Sequence, residues 1–171
     1  RMVDAITDPV MGIIVERTRT RWGRLRPYIL FGSLPLAIIA VATFTAPDLD
    51  DRGKIIWAYV TYTLFGVLYT VVSIPYSALT ASLTSDYRER TVLSTFRMAF
   101  AFSGAVIVSV GVAQWVDLFD SSEQGYLSVM SGFAVFATIL LVITFYHTEE
   151  VIQPPAEQKL KFKDSFRAVF F

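Results

Sequence analysis

The sequence predicts an all-α membrane protein. Three observations predict it: four apolar runs of bilayer length, basic loops that alternate with acidic ones, and a composition shifted toward lipid. Hydrophobic residues make up 54% of the chain and charged residues 18%, against about 45–50% and about 25% in soluble domains. The same composition excludes several functions. A formal net charge of zero lacks the basic excess of a nucleic-acid partner. With no cysteine there is no disulfide, thiol nucleophile or Cys-based metal site. His147 is the single histidine, too few for a His cluster or a Ser-His dyad in a cleft. These residues point away from an enzyme, and no cofactor is expected.

Taken in order, the first element is a partial span over residues 1–16. At 1.5 Å per residue it is short for a hydrocarbon core of about 30 Å, so the chain reads as a piece of a longer protein. Residues 27–46, 55–83, 92–116 and 125–146 form the four full spans, each near the 20 residues a crossing needs. Residues 147–171 follow as a linker and tail. "EEVIQPPAEQ" is polar, with a helix-breaking Pro154-Pro155 pair. "KLKFKDSFRAVFF" sets Phe162, Phe166, Val169 and Phe170 opposite basic residues, a pattern for an interfacial amphipathic helix or the lead-in to another span.

Loop charges set the orientation. "ERTRTRWGRLRP" and "TSDYRERT" are arginine-rich, whereas "PDLDDRGK" is acidic on balance and "DLFDSSEQ" has neither Lys nor Arg. By the positive-inside rule, the arginine loops and the lysine-bearing tail face the cytoplasm. Trp57, Tyr59, Trp115, Tyr126 and Tyr146 lie near span ends, as an interfacial aromatic belt does. His147 belongs with that belt.

Ionisable residues inside spans are costly and usually face a protein interior or a watery cavity. Asp4, Asp8 and Arg97 stand out. The two aspartates lie one helical turn apart, with Thr7 in the same sector. One face therefore offers two carboxylates and a hydroxyl, all hard oxygen donors. That suits a small cation such as Na⁺, or a proton shared by coupled acids; the alternative is a turn solvated at the membrane surface. In "LYTVVSIPYSALTASLT", Thr70, Ser73 and Ser77 fall close together in the helical projection. Pro75 frees a carbonyl one turn back, near Val71. This face either completes an ion site or serves helix packing. Arg97 either snorkels to the interface or points inward, offering its planar fork of donors to a polar substrate. Ala101, Ala105, Ser109 and Ala113 form a small-residue ladder, with Gly104 and Gly111 nearby, which reads as close helix packing.

Two segments resemble a known family. "DAITDPVMGIIVERTRTRWGRLRP" and "IPYSALTASLTSDYRERTVLSTFR" are similar to the helix II–loop and helix IV–loop–helix V signatures of the glycoside-pentoside-hexuronide:cation symporters, the group that includes the melibiose carrier. The resemblance implies the major facilitator superfamily fold of two six-helix halves around a cavity. This chain would be part of the N-terminal half, helices II to VI, in a bacterial inner membrane. It implies cation-coupled symport of a sugar by alternating access, driven by Na⁺ or H⁺, with the other helices of the transporter as partners. On it, Asp4, Asp8, Thr7, Thr70 and Ser73 match the cation site, with Na⁺ as the bound metal if coupling is to sodium. Arg97 and the two aspartates match substrate contacts. Gly12, Glu16 and Arg17 match a loop motif that fastens the two halves, with Glu where Asp is usual. The melibiose carrier has an aspartate where this chain has Ser73, which leaves the ion open. "IPYSALT" is also similar to a segment of eukaryotic sodium-coupled lysophospholipid carriers, so lysolipid symport is the second reading. A non-transporting membrane subunit is the third.

Overall fold

The computed structural model describes residues 4–45 and 47–151, with side chains from Thr7 onward. The expected amphipathic tail and the side chain of Asp4 lie outside the described residues. The architecture is all-helical: α1 (Asp4–Arg17), α2 (Arg26–Thr43), α3 (Asp51–Ser82), α4 (Tyr87–Val116) and α5 (Ser122–His147). The last four are long and apolar enough to cross a membrane.

Three of these helices begin earlier than their apolar runs. Asp50 Oδ1 accepts the Gly53 amide at 3.1 Å, Asp86 Oδ1 the Arg88 amide at 2.8 Å, and Ser121 Oγ the Gln124 amide at 3.3 Å. Each satisfies an otherwise orphaned first-turn donor, so the helix starts at the cap and not where hydropathy rises. Helix α2 differs: proline occupies its first turn, but no local side chain caps it.

The core gathers at one end of the bundle. Met11 and Val15 of α1, Leu25 and Ile29 at the start of α2, and Leu79 of α3 form one buried cluster. Helix α2 packs against α3 and α5, α1 packs against α3, and α4 rests on α5 with only slight contact to α3. The start of α2 and the ends of α3 and α5 meet there, since Val151 N donates to Ser82 O at 3.0 Å and Arg26 Nη2 to Phe145 O at 2.6 Å. At the opposite end, Trp57 Nε1 donates to Ala42 O at 3.2 Å. The arginine loop and the ends of α3 and α5 thus share one side, as alternating loop charge requires.

Helices α2 and α3 cross closely at Gly32, where a Cβ would lie 2.6 Å from Val72 Cγ2. Small residues permit such approach between membrane helices. Gly32→Val should therefore destabilise the protein by about 1–3 kcal/mol through overpacking. A lowered thermal midpoint in detergent checks it; an unchanged midpoint removes this crossing from the account. The small-residue ladder on α4 makes no such contact. Ala101, Ala105, Ser109 and Ala113 are exposed, and a Cβ on Gly104 would meet nothing within 4 Å. Among the described residues the expected close packing is not seen at the ladder; α4 meets α5 through Trp115 against Phe133 and Val116 against Gly125.

Candidate functional site

Asp8 on α1 and Thr70 on α3 meet. Thr70 Oγ1 donates to Asp8 Oδ1 at 3.2 Å across a separation of 62 residues. Thr70 is only 5% exposed, whereas Asp8 is open. Its carboxylate therefore keeps acceptor capacity toward the adjoining space. That space is a cavity of about 600 Å³ walled by Asp8, Thr70 and Ser73 together with Tyr59, Tyr62, Thr63, Phe65, Gly66, Tyr69 and Ile74 of α3.

Local sequence explains why oxygens concentrate here. Each helix carries a proline beside its polar residues, Pro9 in α1 and Pro75 in α3. A helical proline removes one N–H and releases a carbonyl a turn earlier, here at Ala5 and Val71. Both helices continue through their prolines. The side-chain donor set at the cavity is thus a carboxylate and hydroxyls, all hard ligands. Among the described residues no three of His, Cys, Asp and Glu come together as a metal cluster. A monovalent cation or a proton fits such a set better than a transition metal does.

The remaining expected site residues are placed as follows. Thr7 is half-buried beside Asp8, and Ser73 is half-buried in the cavity wall. Asp4 opens α1, one turn before Asp8. Ser77 is exposed and stands outside the wall. Arg97 is exposed on α4, with Nη1 3.5 Å from Thr80 Oγ1. Thr80 lies ten residues beyond Thr70 on α3, or about 15 Å along the axis, so the structure does not bring Arg97 beside Asp8. Gly12 has open space around it, and Glu16 and Arg17 are exposed at the end of α1. His147 Nδ1 makes only a local contact, 3.1 Å from Ile143 O at the end of α5.

Two features were not anticipated from the sequence. Tyr59, which its place near a span end puts in the interfacial belt, lines the cavity, and Tyr62, Gly66, Tyr69 and Ser73 continue the same wall. Their spacings of 3, 4, 3 and 4 are those of one helical face, which was the available signal. Phe65 and Tyr69 stack there with centroids 6.2 Å apart. The second feature is Glu150, whose carboxylate sits at the start of α2.

Comparison with known proteins places these observations. The family model described as MFS/sugar transport protein matches residues 1–170. The chain is 40% identical over 157 residues to the inner membrane symporter YicJ of Escherichia coli (strain K12), covering 91% of this chain and 34% of that protein. It is 39% identical over 152 residues to the putative glycoside/cation symporter YagG of the same organism, covering 88% and 33%. To the isoprimeverose transporter of Lactiplantibacillus pentosus it is 38% identical over 174 residues, covering 99% and 36%. The chain thus spans about a third of the length of these curated relatives. A match over nearly every residue and four apolar membrane-length helices agree: the chain is an integral, multi-pass membrane protein of the MFS/sugar transport family.

Proposed function

We propose that this chain carries the ion-coupling part of a secondary active transporter that moves a sugar or glycoside together with Na⁺ or H⁺ by alternating access. The observation that carries the reading is the contact between Asp8 and Thr70 at the edge of the cavity. A carboxylate held at the junction of two helices is an ion site whose occupancy bears on how those helices sit. Asp4, Thr7 and Ser73 complete the proposed ion shell, and Arg97 with the aspartates contacts substrate. The aromatic wall supports a sugar, because pyranose faces present C–H groups that pack on rings while hydroxyls need polar partners. The names of the relatives, a glycoside/cation symporter and an isoprimeverose transporter among them, support the same substrate class.

The test is counterflow and gradient-driven uptake by the full-length protein in liposomes. A panel of mono- and disaccharides, with a lysophospholipid as comparison, is offered under a Na⁺ or a proton gradient. The expected result is accumulation of at least one sugar that collapses when the coupling gradient is removed. Accumulation of the lysophospholipid and no sugar would overturn the substrate assignment.

A further inference from the structure

Helix α2 begins without a cap of its own. Its N-cap position is Leu25, whose side chain makes no capping bond, and its first turn holds no acidic residue. The free amides at a helix start need partners, and the positive end of the helix dipole favours an anion. Glu150 supplies both from 125 residues away. Its Oε1 accepts Leu25 N at 2.6 Å and Arg26 N at 3.2 Å, and its Oε2 accepts Arg24 N at 3.0 Å. The exchange is reciprocal. Arg26 donates through Nε at 3.2 Å and Nη2 at 2.6 Å to the Phe145 carbonyl, in the last turns of α5. Its guanidinium also lies 4.8 Å from the Phe145 ring centre. An anion thus meets the start of α2, and a cation meets the end of α5, each at the pole the dipole favours. Val151 N, bonded to Ser82 O at 3.0 Å, ties in α3 as well.

Gly23 makes the approach possible. Its φ of +100° is rarely adopted by residues with side chains, and a Cβ there would lie 2.5 Å from Glu150 Oε1. The tight turn Thr20–Gly23, closed by two backbone bonds of 3.1 and 3.3 Å, presents the three amides. This loop is also the link through which α1, bearing Asp8, joins α2.

We infer that Glu150 is a positioning residue for the transport cycle: it clasps α2, α3 and α5 into one body at the basic end and seats the loop that carries α1. Helix α1 packs chiefly on α3, with its last turns against the start of α2, so the seating of its loop is a further fixed point. Loss of the clasp frees that point, and turnover suffers while the residues touching the ion and substrate stay intact. The claim for turnover rests on the proposed transport function; the claim for the clasp does not.

The experiment therefore has two readouts on the full-length protein. Spin labels at Arg21 and Thr148 report the distance between the loop and the end of α5, with a second pair at Thr43 and Arg52 as reference at the opposite end. Glu150→Gln removes the charge but keeps one acceptor oxygen, and Glu150→Ala removes both. The first distance distribution should broaden progressively from wild type through Glu150→Gln to Glu150→Ala, with the reference pair unchanged. In liposomes, maximal transport should fall by about tenfold for Glu150→Ala, as expected for lost charge-assisted bonds, with substrate KM held within about twofold. Restoring the charge with a shorter reach, Glu150→Asp should recover part of both signals. A sharp, unshifted first distance in Glu150→Gln and Glu150→Ala overturns the clasp. A broadened distance with unchanged turnover keeps the clasp and overturns its role in transport.

Discussion

Asp8→Asn in the full-length protein is expected to abolish uptake of substrate against its gradient while sparing exchange between equal pools. The substitution is chosen for what it keeps. Asparagine retains a carbonyl oxygen that can accept the Thr70 hydroxyl, now 3.2 Å from Asp8 Oδ1, so the contact between α1 and α3 survives. What disappears is the charge. A cation binding at Asp8 cancels a negative charge at the junction of two helices and draws hydroxyl and carbonyl oxygens about itself. Substrate affinity then depends on the ion, and by reciprocity ion affinity depends on the substrate. Coupling of this kind typically amounts to about 5- to 150-fold. In Asp8→Asn that factor should fall to one, measured as substrate affinity with and without Na⁺ at several pH values. Asp4→Asn is the companion variant, since Asp4 opens the same helix one turn earlier. A variant that still accumulates substrate with unaltered ion dependence would show that coupling resides elsewhere.

The helices and the exceptional carboxylate of Asp8 were legible because each rests on local chemistry. Apolar runs of bilayer length can only be helices in lipid, where every backbone group must be satisfied within the segment. Asp8 announced itself by the cost of a carboxylate in such a run. Its meeting with Thr70 was legible only through family resemblance, since no spacing rule relates residues 62 apart. Glu150 escaped for a related reason. In sequence it is one of a pair of glutamates in a polar linker, and its role depends on where α5 ends relative to α2. The missing cap in "GRLRPY" was the available clue: a helix start lacking Ser, Thr, Asp or Asn must find its acceptor elsewhere. The tyrosine wall was obscured by a competing rule. Aromatic residues near span ends usually mark the interface, and Tyr59 fits that description as well as it fits a cavity wall. Arg97 was the converse, because helical arithmetic gives its sector on α4 but not which level of α3 it faces.

Arg97→Lys is expected to weaken substrate binding by about tenfold while leaving ion binding in the absence of substrate unchanged. Arg97 stands at the level of Thr80, about 15 Å along α3 from Thr70, too far to share an ion with Asp8. Any role it has in transport must therefore run through the larger cargo. Among the described residues its guanidinium reaches the Thr80 hydroxyl, at the outer limit of hydrogen bonding at 3.5 Å. Most of its five donors are thus left to engage something else. A guanidinium presents these donors in a planar fork that can hold two hydroxyls of one ring, whereas an ammonium offers a compact, strongly hydrated charge. One lost bidentate contact to a polar ligand, at about 1.5–3 kcal/mol for bonds to a charged group, gives the tenfold figure or more. Thr80→Val separates this from packing: it removes the resting partner of Arg97 but not the fork, so affinity should hold. Isothermal titration of substrate and ion into the purified protein reads both quantities directly. Equal substrate affinity in Arg97→Lys and wild type would remove Arg97 from the substrate site and leave it as an arginine anchored near the basic end of the bundle.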